Sequence, residues 1–161
     1  MILRRAKQED KEALWQIQTQ SIRQQGTSHY NSEQIEAWAG GLTPEDSYNR
    51  AMESQSIEQG KVIVAEDTDG ILVGFASLDK QSGEVGAVYV LTSHIRRGIG
   101  RQLFETLEEE ARRFGVVELH VRASLNAVAF YERVGFKYEH EAPHRFRSGV
   151  EIPCAVMTKV L

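Results

Sequence analysis

Residues 88–104 read Val-Tyr-Val-Leu-Thr-Ser-His-Ile-Arg-Arg-Gly-Ile-Gly-Arg-Gln-Leu-Phe, and this stretch constrains the chain more than any other. An apolar run of strand type enters a basic turn, and the turn opens directly into a helix. Gly98 and Gly100 stand where a helix usually carries a capping side chain. The first helical N–H groups have no partner inside the helix and lie at the positive end of its dipole. Glycine backbone leaves those groups open. Arg96, Arg97 and Arg101 flank them with full positive charge, and Ile99 sits between the glycines as the first apolar helical position. Such a junction suits an anion, a phosphate or pyrophosphate.

The helix that follows carries Ile99, Leu103, Leu107, Ala111 and Phe114 on one face. Glu108–Arg112 and Glu109–Arg113 are favourable pairs four apart on the other. Gly115 ends it, and a strand over residues 116–123 follows. A strand–helix–strand unit with its helix on the sheet makes the two strands parallel. Ahead of the turn, three strands at 62–65, 71–78 and 84–91 are joined by Asp67-Thr68-Asp69-Gly70 and Gln81-Ser82-Gly83. Connections this short make them antiparallel neighbours.

The first third reads differently. A short strand at 2–6 precedes a helix over 8–24, with Leu14, Ile17, Ser21 and Ile22 at helical spacing. Asn31 and Gln34 form a capping-box pattern at the head of a second helix, which Gly40-Gly41 ends. Thr43-Pro44-Glu45-Asp46 is a third helix start, running to about residue 55. Beyond residue 123, Ser124 caps a helix over 125–134, and strands at 136–141 and 151–160 complete the chain. The expected fold is α/β of the α+β kind: a mixed, mostly antiparallel twisted sheet flanked by helices, with one central parallel strand pair.

Composition excludes several classes. The 161 residues suffice for one domain, and a formal net charge of −4 argues against nucleic acid as a partner. No apolar run approaches the roughly 20 residues that span a bilayer, so no membrane is expected. The start Met-Ile-Leu-Arg-Arg-Ala turns polar too soon for a signal peptide. One cysteine, Cys154, allows no intrachain disulfide and fits a cytoplasmic setting. No pair among the five histidines has ligand spacing on one helix, so no metal is expected. Gly100 is followed by Arg101-Gln102 rather than Lys-Ser/Thr, which argues against a P-loop. Leu103 stands where a dinucleotide fingerprint needs its third glycine.

A second cluster lies at 123–136, Ala-Ser-Leu-Asn-Ala-Val-Ala-Phe-Tyr-Glu-Arg-Val-Gly-Phe. Together with Arg-Arg-Gly-Ile-Gly-Arg it resembles the GNAT superfamily of acyl-coenzyme A N-acetyltransferases. Gly98 and Gly100 match the family's Gln/Arg-x-x-Gly-x-Gly/Ala turn, with Ile95 in the Gln/Arg place. Ala127, Phe130, Tyr131, Gly135 and Phe136 match its Asn-x-x-Ala-x-x-Phe/Leu-Tyr-x-x-x-Gly-Phe pattern, with Ser124 in the Asn place and Asn126 out of register. The stretches His29-Tyr30…Gln34-Ile35-Glu36-Ala37-Trp38 and Gly149-Val150-Glu151-Ile152-Pro153-Cys154 are similar to segments of one bacterial subgroup.

The resemblance implies a single acetyltransferase domain over residues 1–161, monomeric or homodimeric. It implies acetyl-CoA as co-substrate and a small-molecule or peptidyl primary amine as acceptor, attacking the thioester directly. Arg96 to Arg101 would hold the pyrophosphate. The backbone of Val88, Tyr89 and Val90 would meet the pantetheine and the developing oxyanion, where the strand pair splays near Ser124. Tyr131 takes the family's general-acid place, and Phe130 is expected in the core. Tyr30 and Trp38 lie where the family builds its acceptor pocket. The base is open: the strand before the turn has no central acid, which leaves Glu84, His120, His29, Glu151 or water. That gap and Ile95 keep a non-catalytic acyl-CoA-binding or sensing module as the alternative.

Overall fold

The computed structural model describes residues 1–41, 43–46 and 60–161. Seven strands form one sheet in the order β1-β2-β3-β4-β5-β7-β6. They are β1 (Ile2–Arg5), β2 (Gly60–Glu66), β3 (Leu72–Asp79), β4 (Glu84–Val90), β5 (Glu118–Ser124), β6 (Lys137–Arg145) and β7 (Glu151–Val160). Every neighbouring pair is antiparallel except β4 and β5, which run parallel as the strand–helix–strand reasoning requires. The helices are α1 (Lys11–Gln25), α2 (Ser32–Ala39), α3 (Ile99–Arg113) and α4 (Val128–Arg133).

The helices cover both faces of the sheet. Ile99, Leu103, Phe104, Leu107 and Ala111 of α3 are buried against Val73, Ala76, Val85, Leu119, Val121 and Ala123. Each such side chain contributes about 1.5–3 kcal/mol of burial. On the opposite face, Leu14 and Ile17 of α1 pack on Val62, Val64 and Phe75, and α2 places Ile35 and Ala39 against Ile152 and Cys154. Asn31 caps α2 as expected, accepting from the Gln34 N–H at 2.9 Å while Gln34 Oε1 accepts from the Asn31 N–H at 3.0 Å.

Some expectations shift. A 3-10 turn, Gln8–Asp10, precedes α1, and Leu125–Ala127 is a 3-10 turn that leaves α4 only six residues. Phe114 falls off the end of α3 and is exposed, with the Lys80 ammonium 3.9 Å above its ring. Arg113 pairs with Glu110 rather than Glu109. β6 runs on to Arg145 because β7 keeps pairing with it as far as Glu151; Pro143 is tolerated there because β6 is an outer strand. Thr43 caps as expected, its hydroxyl accepting from the Asp46 N–H at 3.0 Å. The remainder of that helix, to residue 55, lies outside the described residues. No described helix is long and apolar enough to cross a membrane.

Two features position the site. In β4, Ala87 opposes Ser77 and Val85 opposes Leu78, so Gly86 is an extra, bulged residue. A bulge bends and twists its strand. Past it, β4 stays with β3 while β5 stays paired with β7 along its whole length, and the β4–β5 register stops after Glu84–His120 and Val85–Val121. The sheet therefore splits on the C-terminal side of Val85.

The second feature anchors α1, which lies over the split. Arg4 on β1 donates to both carboxylate oxygens of Asp10, at 2.8 and 3.0 Å, and to Glu66 on β2 at 2.9 Å. The Lys7 N–H also donates to Asp10, at 2.7 Å. These contacts hold the Asp10 carboxyl below its usual pKa, the Arg4 hydrogen bonds foremost. A carboxyl depressed in the folded state adds stability above its unfolded value, and that stability is lost as pH falls through the folded one. Asp10→Asn is therefore expected to cost about 2 kcal/mol at pH 7 in urea unfolding. The difference should shrink as pH falls from about 4, the unfolded carboxyl value, through the lowered folded one, where both chains carry a neutral side chain at this position.

Candidate active site

The turn between β4 and α3 curls tightly. Gly98 has φ +79° and sits in the N-cap position of α3, where its carbonyl accepts from the Gln102 N–H at 3.0 Å. No side chain caps the helix there, so the N–H groups of Ile99, Gly100 and Arg101 lack intrahelical partners. Arg96 also has positive φ, +62°, the one such non-glycine residue among those described. Holding it there costs about 1–3 kcal/mol, strain of the kind that concentrates at ligand clamps. A Cβ on Gly100 would come within 3.3 Å of Phe130 Cε2 and 3.6 Å of Val90 Cγ2, narrowing the space between turn and α4.

A cavity of about 400 Å³ runs from this turn into the split. Its walls bring together Val88, Tyr89 and Val90 of β4, the turn residues Arg96, Gly98, Ile99, Gly100 and Arg101, and Ser124 at the end of β5. The Leu91 N–H donates to the Val73 carbonyl, at 2.9 Å. Antiparallel alternation then turns Tyr89 and Ala87 toward β3, and turns the backbone groups of Val88 and Val90 toward the split. One of these is occupied: the Val90 carbonyl accepts from Ser21 Oγ at 3.1 Å and Gln25 Nε2 at 2.9 Å, both on α1. Of the three expected arginines, Arg97 does not line the cavity, and Arg101 shares its guanidinium with Glu105 at 2.7 Å. Arg133 on α4 lines it instead, beside Asn126 and Phe130.

Asn126 Oδ1 is buried and has no hydrogen-bond partner. Leaving such an acceptor unpaired costs about 1–3 kcal/mol, so an orphan on a cavity wall points to a ligand donor. The sequence carried no signal for it, since Asn126 is out of register with the family's Asn and only the 3-10 turn aims it inward.

A second cavity of about 470 Å³ opens on the α1/α2 side of the sheet. Trp38, Tyr89 and Ser124 line both cavities, so the two meet there. The rest of its wall mixes apolar side chains, among them Phe75, Phe146, Ile152 and Cys154, with the polar Gln18 and Ser77. Burial pushes the Cys154 thiol up, away from thiolate character. Glu84 and Arg122 are its charged side chains, with His144 beside Phe146 at 4.7 Å between ring centroids.

The other expected residues divide. Glu84 reaches the second cavity, whereas His29, His120 and Glu151 line neither. His29 sits on the surface beside Ser28, His120 faces Glu118 at 3.5 Å, and Glu151 lies at the β6–β7 turn beside Arg145 at 3.7 Å. Tyr30 is a staple: its buried hydroxyl donates to the Pro153 carbonyl at 2.7 Å and accepts from the Leu125 N–H at 2.9 Å. Burial pushes that phenol up to about 12. Trp38, packed edge-on against Tyr30 at 5.8 Å, is the cavity residue of the pair.

Phe130 and Tyr131 exchange places relative to expectation. Phe130 is half-buried on the first cavity's wall, while Tyr131 is 4% exposed between Phe130 and Phe136. The short α4 turns Tyr131 toward the sheet, whose aromatic cluster with Phe104 takes its ring. Burial, and then the neighbouring Tyr89, push the Tyr131 phenol well above its ordinary range, so it stays protonated.

A split mixed sheet, a turn with open helical N–H groups at its mouth and two cavities sharing one wall make up the site. The acetyltransferase (GNAT) domain model matches residues 26–157, and the chain belongs to that family. Its activity is transfer of an acetyl group from acetyl-CoA to an amine. A GCN5-related N-acetyltransferase structure from Rhodopseudomonas palustris superposes with a TM-score of 0.88 at 29% identity, over 99% of this chain and 95% of that one. The PaiA N-acetyltransferase of Thermoplasma acidophilum, solved with coenzyme A, gives 0.76 at 24% identity over 100% of both chains. The ribosomal-protein-alanine N-acetyltransferase of Brucella melitensis gives 0.72 at 25% identity, again over 100% of both. No curated protein sequence matches this one at a significant level.

Tyr30 offers a check on this assignment of roles. Tyr30→Phe removes a buried hydroxyl with two partners and is expected to lower stability by about 1–3 kcal/mol in denaturant titrations. A change in acceptor KM with stability unaltered would instead return Tyr30 to the acceptor site.

Proposed function

We propose that acetyl-CoA and the acceptor amine bind together in the two cavities and react where these meet, at Trp38, Tyr89 and Ser124. The shared wall is the observation that carries this reading: both substrates fit at once, so the amine reaches the thioester without an acyl-enzyme step. The N–H groups of Ile99, Gly100 and Arg101, with Arg96 and Arg133, hold the pyrophosphate. Asn126 Oδ1 accepts from a pantetheine amide, and the N–H groups facing the split from Val88 and Val90 receive the remaining carbonyls.

In the reaction the amine nitrogen forms the amide bond, the thioester C–S bond breaks, and the departing thiolate takes a proton. Tyr131 is the proposed donor. Its phenol stays neutral, and this role requires its hydroxyl to reach the thiolate past Phe130, which forms the cavity wall. Among the described residues no carboxylate lies where the cavities meet; the acceptor's ammonium proton leaves to water, with Glu84 on the far rim. The rate should therefore climb with pH toward the amine's own pKa, and Glu84→Gln should leave that profile in place.

Acetyl-CoA should raise the melting temperature, with ATP and NAD giving no comparable shift. Tyr131→Phe is expected to lower kcat about a hundredfold while the acetyl-CoA shift persists; unchanged turnover would remove Tyr131 from the mechanism. Asn126→Leu deletes the orphaned acceptor, so the free protein should melt no lower while coenzyme A affinity in calorimetry falls about tenfold. Thermal stabilisation by acetyl-CoA with no thiol released from any amine would favour a binding module.

A further inference from the structure

Arg122 is the one arginine or lysine among the described residues that line the second cavity. Arg122 lines the cavity yet makes no ion pair or hydrogen bond among the described residues. Arg96, Arg97 and Arg133 also lack a carboxylate partner among the described residues, but none of them lines this cavity. Strand alternation fixes its direction, because Leu119, Val121 and Ala123 of β5 are buried under α3 and send Arg122 and Ser124 to the opposite face. Ser124 marks the junction where the amine must arrive, and Arg122 stands one pleat repeat, about 7 Å, before it.

The remaining wall says what lies between. Trp38, Phe146 and Ile152 are apolar, and the lone carboxylate, Glu84, sits in register with His120 at the start of the strand pair. Among the described lining side chains Glu84 is the one acid and Arg122 the one arginine. A guanidinium is a planar fork of donors that matches a carboxylate in two-point contact.

We propose that the acceptor is a monoamine bearing a carboxylate and an apolar side chain, with Arg122 binding the carboxylate while the amine faces Ser124. A free amino acid and the terminal residue of a short peptide share that chemistry. This inference rests on the two-cavity reading above, and the test separates their failures.

Thiol release at saturating acetyl-CoA is measured with phenylalanine, phenylalanine amide, 2-phenylethylamine, alanyl-phenylalanine and spermidine. The amide's amine is the less basic, which favours the amide chemically, so a preference for the acid reports recognition. The wild type should show about ten- to a hundredfold higher kcat/KM for phenylalanine or the dipeptide than for the amide, chiefly through KM. The better of the two identifies the source. Arg122→Gln should erase the preference and leave the amide rate and the acetyl-CoA melting shift within about twofold. Arg122→Lys should restore part of it.

Equal kcat/KM for acid and amide, a preference that survives Arg122→Gln, or spermidine as the best acceptor overturns the carboxylate proposal alone. Loss of stability in Arg122→Gln with the acid preference intact assigns Arg122 to balancing Glu84 and overturns it equally. Silence with every amine while acetyl-CoA still binds overturns the two-cavity reading as well.

Discussion

Past Val85 the hydrogen-bond ladder between β4 and β5 ends, and the rest of the site follows from that break. Parallel strands lying side by side would ordinarily satisfy each other's backbone. Here the bulge at Gly86 swings β4 with β3, and β5 is held to β7 over all seven of its residues. The exposed edge of β4 becomes a row of backbone groups with no strand to receive them. Some are answered from within, as α1 answers the Val90 carbonyl through Ser21 and Gln25. The others face a cavity, which is a reason to expect an extended, amide-bearing ligand there.

The break also explains why the anion cradle sits where it does. β4 ends at Val90, and the chain must turn to start α3 on the sheet's other face. Positive φ at Arg96 and Gly98 makes that turn tight enough to aim the first N–H groups of α3 at the mouth of the split. In the proposed reading the anion is held by backbone and dipole, so Ile95 in place of a polar residue costs the turn little. The acceptor side differs. In the proposed reading its selectivity rests on side chains, because β5 is hydrogen-bonded to β7 along its length.

Local signals were legible in the sequence and relative placements were not. The apolar stripe from Ile99 to Ala111, the Asn31–Gln34 capping box and the short strand connections each depend on residues a few positions apart, and all appear in the structure. The tight turn at Gly98 was legible for the same reason. Phe130 and Tyr131 were exchanged because one position in a six-residue helix decides which ring meets Phe136. Tyr30 resembled a pocket residue, but its partners, Leu125 and Pro153, lie about a hundred residues away in sequence. The bulge at Gly86, the orphaned Asn126 oxygen and the placing of Arg122 on the second cavity arise from register and packing, and no periodicity in the chain announces them.

The account stands or falls on whether the split takes the cofactor. Amide hydrogen exchange with and without coenzyme A, which binds without reacting, reads this at single residues. The account predicts slowed exchange at Val88, Val90, Ile99, Gly100 and Arg101, with the outer strand β6 unchanged. Unaltered exchange at those five amides in the presence of saturating coenzyme A would contradict it.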